Sequence, residues 1–201
     1  MTQTLSYHAR TRSPDPGAPL IFAFHGTGGD ENQFFELVRQ IHPGAGIVSP
    51  RGDVSEGGAA RFFRRTGEGV YDMDDLARRT ERMAAFVAAH KEANPGVPVY
   101  GFGYSNGANI LASVVMAHPE LFDRIGLLHP LVPWEPAPVD LGGRHVLITA
   151  GHRDPICPWG LSDRLVRWFG AQGAELRTET HDGGHEIRQG ELSALADLLT
   201  G

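Results

Sequence analysis

The residues with the clearest chemical potential lie in the glycine-rich segment Val99–Asn109. It contains the pattern G-x-S-x-G, with Ser105 between Gly103 and Gly107, after an apolar segment and before one with helical spacing. A serine on a tight strand-to-helix turn is exposed for attack, and the helix N-terminus favours the negative charge that develops there. The segment therefore predicts a nucleophile elbow and acyl-transfer chemistry at Ser105.

Two other interpretations fit parts of this segment. Ser105 could serve only as the cap of the following helix, within a tight glycine-rich turn. Gly101 and Gly103 also begin a dinucleotide-binding G-x-G, but the third glycine should stand where the chain has Asn106. The spacing therefore disfavours a nucleotide cofactor and leaves the nucleophile and the cap as alternatives.

A serine hydroxyl needs a base that takes its proton and an acid that orients the base. Where a nucleophile elbow carries such a triad, the partners follow in the order Ser, acid, His, on loops after later strands. Asp154 directly follows the apolar segment 144–149, and His185 lies between the last predicted strand and the last predicted helix. We therefore predict Ser105 as nucleophile, His185 as base and Asp154 as the orienting acid.

Each predicted partner has a competing interpretation. Asp154 precedes a proline and could serve a turn, and Asp182 is a second acid close to the base. His181 and His185 have the i,i+4 spacing of a zinc pair, but two glycines between them argue against a helix, and the chain has no H-E-x-x-H. We therefore expect no metal and no organic cofactor.

An acyl-transfer site also needs backbone N–H donors for the oxyanion. Asn106, next after the nucleophile, is one predicted donor, and Thr27 in the glycine-rich segment 25–30 is the second. We expect His25 to pack and hold that segment. The long glycine-rich segment 51–71 is predicted to be irregular and to supply either pocket-lining residues or a surface anchor. Its candidates for substrate binding are Phe62, Phe63, Arg64 and Arg65.

The elements that must position these residues follow an alternation of short apolar segments with segments of helical periodicity. We predict strands at 20–24, 46–49, 97–102, 124–128, 144–149 and 175–180, with 4–10 as an antiparallel edge. We predict helices at 31–41, 72–93, 106–118, 158–172 and 186–199. This alternation predicts an α/β fold, with a mainly parallel sheet, helices on both faces and right-handed crossovers.

Length and composition limit the classes of protein that remain. The chain has 201 residues and no dividing linker, so we expect one domain over 1–201. Its 18 basic and 24 acidic residues give a net charge of −6, which disfavours nucleic acids and anionic membranes as partners. Cys157 is the single cysteine, and no apolar run approaches about 18 residues. We expect a cytoplasmic globular protein, monomeric or homodimeric, with a small-molecule partner and no stable membrane association.

Five segments together resemble the phospholipase/carboxylesterase family of α/β hydrolases. They are Phe24–Asp30, Ser49–Gly52, Gly101–Gly107, Gly151–Pro155 and Gly184–Glu186. This family includes acyl-protein thioesterases and small bacterial carboxylesterases, and the resemblance covers the chain from about Leu20. It implies an α/β-hydrolase fold with Ser105, Asp154 and His185 as the triad. Thr27 and Asn106 take the oxyanion-donor positions, where thioesterases typically carry Leu and Gln.

The resemblance implies a carboxylic-ester hydrolase that works without metal or organic cofactor. Only 15 residues separate the predicted strand ending at 128 from the one beginning at 144, too few for a helical cap domain. An open site favours small soluble esters over buried lipids. The alternatives are a thioesterase or lysophospholipase with the same triad, and a low-turnover ligand-binding or stress-response homologue.

Overall fold

The structure is a computed structural model that describes residues 7–201, and a seven-stranded sheet runs through its centre. The strands are β1 (Ala9–Arg12), β2 (Leu20–Phe24), β3 (Gly46–Pro50), β4 (Val54–Glu56), β5 (Ala59–Arg61), β6 (Arg65–Gly67), β7 (Val70–Tyr71), β8 (Val99–Tyr104), β9 (Arg124–Leu128), β10 (His145–Gly151) and β11 (Glu175–His181). The helices are α1 (Phe35–Ile41), α2 (Met73–Glu92), α3 (Asn106–Ala117), α4 (Trp159–Ala171) and α5 (Gln189–Thr200).

The central sheet has the order β1-β3-β2-β8-β9-β10-β11. Its strands pair in parallel except for β1, which runs antiparallel to β3. The register pairs Phe24 with Gly103 and Tyr104 with Leu128. The carboxyl ends of β2, β8 and β9 therefore meet at one edge, which is where loops of parallel sheets build functional sites.

Helices cover both faces of this sheet, as predicted. Strand β2 is buried along its whole length, which is typical of a strand covered on both sides. Because successive side chains point to opposite faces, Ile21 packs in the cluster under α1 and α5, whereas Phe22 packs in the cluster under α2, α3 and α4. No described helix combines the length and apolar composition needed to cross a bilayer.

Most predicted elements are confirmed, with differences at their ends. The strands at 20–24 and 124–128 match the predicted bounds, and the predicted edge forms β1, although its residues 4–6 lie outside the described part of the chain. Helix α1 begins four residues later than predicted, because the Asp30 side chain accepts the Asn32 N–H in a turn (2.8 Å). Helix α5 begins at Gln189, where the Glu191 carboxylate accepts the Arg188 N–H (2.7 Å) and closes the first turn.

The prediction of an irregular segment at 51–71 is wrong, because the segment folds into two short hairpins, β4–β5 and β6–β7. Gly57 and Gly58 connect β4 to β5, and both have positive φ, at 57° and 91°. Two-residue hairpin turns with positive φ favour glycine, so this pair was a readable signal. The first hairpin lies against the segment 25–30, since Gly28 N donates to Ala60 O at 3.0 Å. Residues 129–144, between β9 and β10, form neither helix nor strand.

Candidate active site

Ser105 lies on the turn between β8 and α3, with φ 52° and ψ −118°. Residues with a side chain rarely adopt this region, and such strain concentrates at functional sites. A Cβ on Gly107 would lie 2.4 Å from the carbonyl oxygen of Phe24, and one on Gly103 would lie 2.5 Å from the backbone of Gly107. The turn therefore requires glycine on both sides of the serine. The Ser105 side chain makes no capping hydrogen bond to α3, so the helix-cap interpretation is wrong.

The structure brings the three predicted triad residues into one hydrogen-bonded line. His185 Nε2 lies 2.9 Å from Ser105 Oγ, and His185 Nδ1 lies 2.7 Å from Asp154 Oδ2. The other carboxylate oxygen, Asp154 Oδ1, accepts the backbone N–H groups of Ile156 (2.8 Å) and Cys157 (2.9 Å). The serine is thus placed to lose its proton to an imidazole whose orientation is fixed by a buried acid.

Two alternatives to this triad, Asp182 as the acid and a zinc pair of His181 with His185, do not fit the geometry. The side chain of Asp182 is 86% exposed, and no hydrogen bond to His185 occurs within residues 7–201. His181 Nδ1 accepts the Gly183 N–H at 3.0 Å, and its Nε2 lies 3.1 Å from Glu191 Oε2. Within residues 7–201, no candidate cluster of metal ligands contains both His181 and His185, so the i,i+4 zinc pair does not form.

A residue that the sequence analysis missed, His129, lies behind the acid. It is fully buried, with Nδ1 3.0 Å from Asp154 Oδ2 and Nε2 2.8 Å from Glu191 Oε1. Burial alone would lower the pKa of His129, but the contacts with Glu191 and Asp154 outweigh it and raise that pKa. The ring thus lies between two buried carboxylates. A signal existed, because His129 directly follows β9, at the sheet edge that carries the triad.

The same contacts determine the charge of Asp154. Burial alone would raise the pKa of this carboxyl, but the Cys157 N–H and the imidazoles of His185 and His129 together hold it below its usual range. Asp154 is therefore ionised throughout the neutral range. Because its folded-state pKa is depressed, the stability it contributes is present above about pH 4 and is lost as pH falls through the lowered pKa.

The predicted oxyanion donors lie beside Ser105. Thr27 and Asn106 both line the cavity at the serine, and within residues 7–201 neither backbone N–H makes a hydrogen bond. Both side chains are held, since Arg61 Nη1 donates to Thr27 Oγ1 (2.8 Å) and Phe62 N donates to Asn106 Oδ1 (2.8 Å). Two N–H groups at the cavity wall are thus available to an anionic oxygen.

His25 has the packing position that the sequence analysis expected. It is buried, its Nδ1 lies 2.7 Å from Gly26 O, and its Nε2 accepts the Gly52 N–H at 2.9 Å. Burial lowers the pKa of this imidazole, which suits a neutral ring that donates at one nitrogen and accepts at the other. His25 therefore ties the segment 25–30 to the hairpin segment.

A cavity of about 310 Å³ opens at Ser105. Its wall is formed by Thr27, Arg61, Arg65, Glu68, Gly69, Tyr71, Tyr104, Ser105, Asn106, Asn109, Leu131, Ile156, Cys157 and His185. Of the four candidates for substrate binding, Arg65 lines this cavity.

The other three candidates for substrate binding need correction. Phe62 and Phe63 are fully buried, with ring centroids 5.7 Å from Phe24 and 4.8 Å from Tyr71, respectively. Burying a phenylalanine stabilises a fold by about 1.5–3 kcal/mol, so these rings enter the core instead of the pocket. Arg64 lies on the exposed surface, outside the cavity.

Cys157 is buried against His129, with its Sγ 3.3 Å from that residue's carbonyl oxygen. Burial raises the pKa of the thiol well above its usual range, so the sulfur stays protonated. Since the thiolate is the reactive form, Cys157 is a packing residue of the cavity wall.

Comparisons with known proteins fit this site. No protein-family model matches the chain. It is 39% identical over 176 residues to the "Putative hydrolase MhqD" of Bacillus subtilis, covering 86% of this chain and 88% of that protein. Among solved structures, Atu2452 of Agrobacterium tumefaciens, a protein of unknown function, has 55% identity and a TM-score of 0.93 over 96% of both chains. The Bacillus cereus carboxylesterase has 32% identity and a TM-score of 0.89, over 96% of this chain and 92% of that one.

Proposed function

Because the chain belongs to the carboxylesterases of the α/β-hydrolase family and is a carboxylic-ester hydrolase, we propose that it cleaves small soluble esters by serine catalysis. Ser105 is the nucleophile, His185 the general base and acid, and Asp154 the group that orients the imidazole. The observation that carries the proposal is the hydrogen-bonded line from Ser105 Oγ through His185 to Asp154 Oδ2, at the edge of the cavity.

The first half-reaction forms an acyl-enzyme. Ser105 Oγ attacks the carbonyl carbon while His185 Nε2 takes the hydroxyl proton, and the carbonyl oxygen becomes an oxyanion that the N–H groups of Thr27 and Asn106 stabilise. The carbon–oxygen bond to the alcohol then breaks, and His185 gives its proton to the leaving oxygen. Asp154 stabilises the imidazolium throughout, because it remains a carboxylate.

The second half-reaction repeats these steps with water. His185 takes a proton from water as its oxygen bonds to the acyl carbon, and a second oxyanion forms between the same two N–H groups. The bond to Ser105 Oγ then breaks, and the serine recovers its proton from His185. The products are a carboxylic acid and an alcohol, and no redox partner or metal is required.

The size and setting of the cavity support small substrates. A volume of about 310 Å³ is at the lower end of the range of ligand pockets, about 300–1,000 Å³. Residues 129–144 form no helix, so they provide no helical cap over this cavity. Polar groups also dominate one wall, where Arg61, Arg65 and Glu68 meet.

A substrate panel separates this proposal from a thioesterase or lysophospholipase. We expect kcat/KM to be highest for oxyesters with two- to four-carbon acyl groups, and to fall by about 10-fold or more for an octanoyl ester, because longer chains leave the cavity. The panel also contains an acyl-CoA thioester and a lysophosphatidylcholine. Initial rates of acid release are measured for each, with background hydrolysis subtracted.

Ser105→Ala protein is the control for every substrate in the panel. A preference for the thioester or the lysolipid that depends on Ser105 would replace the proposed substrate class while retaining the triad. If the Ser105→Ala protein hydrolysed these substrates as fast as the wild type, serine catalysis itself would be contradicted.

A further inference from the structure

Two arginines form part of the cavity wall, and the proposed ester chemistry does not use their charges. Arg61 ends β5 and its side chain is only 3% exposed, although it borders the cavity. Arg65 begins β6 and is partly exposed at the same wall. Buried arginine is uncommon in proteins unless it is paired, so its presence beside a substrate cavity requires a reason.

The acidic partners of these arginines lie nearer to solvent. Glu56 Oε2 is 3.2 Å from Arg61 Nε, but the same carboxylate also receives Arg65 Nε at 3.0 Å. The side chain of Glu56 is 43% exposed. Glu68, 59% exposed, is paired with Arg65 Nη1 at 3.0 Å. The positive groups are therefore deep in the wall, and the negative groups lie towards its rim.

Arg61 is not fully compensated by these partners. Its burial and the positive charge of Arg65 lower its pKa from the ordinary value, and the opposing effect of Glu56 is smaller. Arg61 Nε lies 3.3 Å from Phe63 O, and Nη1 donates to Thr27 Oγ1. Within residues 7–201, Nη2 makes no hydrogen bond. An anion bound here would thus stabilise the charged Arg61 guanidinium and could accept hydrogen bonds from its Nη2 group.

We propose that Arg61, assisted by Arg65, forms a subsite for a carboxylate carried by the substrate. This inference rests on the proposed function and names its substrate class: esters of small molecules that retain a free carboxylate, such as hemiesters of short dicarboxylic acids. The contact between Arg61 Nη1 and Thr27 Oγ1 places the subsite next to the proposed oxyanion donors, a few bonds from the reacting carbonyl. Arginine suits this task because its planar guanidinium matches the two oxygens of a carboxylate.

Matched pairs of esters separate charge from size. One pair compares methyl hydrogen succinate with methyl butyrate, which places the carboxylate on the acyl side. The other compares acetoxyacetate with propyl acetate, which places it on the alcohol side. Rates are followed by proton release at constant pH. We expect the anionic ester of at least one pair to have a kcat/KM about 10-fold or more above its neutral partner.

Two variants and a matched control test whether the arginines of the cavity wall cause the preference for anionic esters. Arg61→Gln should lower kcat/KM on the preferred anionic ester by about 10- to 100-fold more than on its neutral partner. Any loss of support for Thr27 affects both esters, so the ratio of the two rates reports the subsite. Arg65→Gln should give a smaller loss in the same direction, and it leaves the buried Arg61 in place. Arg64→Gln changes an exposed arginine outside the cavity, so both esters should retain their wild-type rates.

Binding of succinate gives a readout that needs no turnover. We expect succinate to bind the Ser105→Ala protein and to inhibit hydrolysis of methyl butyrate competitively, and succinamide, its neutral analogue, to do neither. The Arg65→Gln protein should bind succinate more weakly, which keeps the proposal testable if Arg61→Gln does not fold.

Several outcomes would overturn the subsite. One is a preference for the neutral ester in both pairs, and another is an equal loss on both esters in Arg61→Gln, which would make Arg61 a support of the Thr27 segment. Either result, with Ser105-dependent hydrolysis intact, leaves the proposed function standing. If the wild type hydrolysed none of the esters but still bound succinate, the proposed function would instead be contradicted.

Discussion

Replacing Ser105 with alanine is expected to lower kcat/KM for a short-chain ester by about 10⁴- to 10⁶-fold, the loss typical when a serine nucleophile is removed. The change deletes the hydroxyl oxygen that lies 2.9 Å from His185 Nε2, and alanine offers no nucleophile in its place. A small residual rate should remain, because the oxyanion donors and the cavity still bind the substrate. Initial rates against an aryl acetate measure the loss.

Folding of the Ser105→Ala protein should be unchanged. The serine side chain caps no helix, so its removal should alter the free energy of unfolding by less than about 1 kcal/mol. Ser193→Ala is the matched control, since Ser193 is exposed on α5 and its hydroxyl donates to Gln189 O of the same helix. Wild-type activity is expected for the control. Retention of more than a tenth of the activity in Ser105→Ala would refute the assignment.

Asp154→Asn should give the second largest loss, about 10⁴-fold in kcat at neutral pH. The carboxylate oxygen that accepts His185 Nδ1 at 2.7 Å also faces His129 Nδ1 at 3.0 Å. An amide lacks the charge that stabilises the imidazolium of His185, and its NH₂ group favours the wrong tautomer. The buried His129 ring also loses one of its two anionic partners, so we expect a destabilisation of roughly 1–3 kcal/mol.

Asp182→Asn is the matched control for this change, because Asp182 is the other acid near His185 in sequence. Its side chain is largely exposed, and the substitution should leave kcat and stability close to wild type. Thermal unfolding is measured for both variants, and kcat is measured at a temperature at which the Asp154→Asn protein is folded. If Asp182→Asn lost activity and Asp154→Asn kept it, the orienting acid would have been misassigned.

The sheet and the order of the triad residues could be predicted because each depends on local pattern. The five-residue segment at 20–24 is apolar throughout, which indicates a strand buried on both faces. Ser105 and Asp154 closely follow the largely buried strands β8 and β10, and His185 follows the more polar edge strand β11. Parallel strands bring their carboxyl ends together. Chain order and strand ends favoured Asp154 but left Asp182 as an alternative. The two acids differ in geometry, because Asp154 Oδ2 lies 2.7 Å from His185 Nδ1 whereas the Asp182 side chain is 86% exposed.

The cavity wall could not be predicted in the same way, because it depends on contacts between distant segments. The sequence indicates Phe62 and Phe63 as pocket-lining residues or a surface anchor, whereas their rings pack on β2 and on Tyr71. Arg61 borders the cavity through partners at positions 27 and 56, and neither pairing leaves a periodic signal. His129 likewise depends on Glu191, which is 62 positions later on α5.

The most direct test of the account is the site of covalent labelling by a fluorophosphonate, which forms a stable phosphonyl ester with an activated serine. Intact mass should show one adduct per chain, and peptide mapping should place it on Ser105. Asp154→Asn protein should label far more slowly, because the base is no longer held and charged correctly. An adduct on another residue, or continued ester turnover by fully labelled protein, would contradict the central claim that Ser105 carries the reaction.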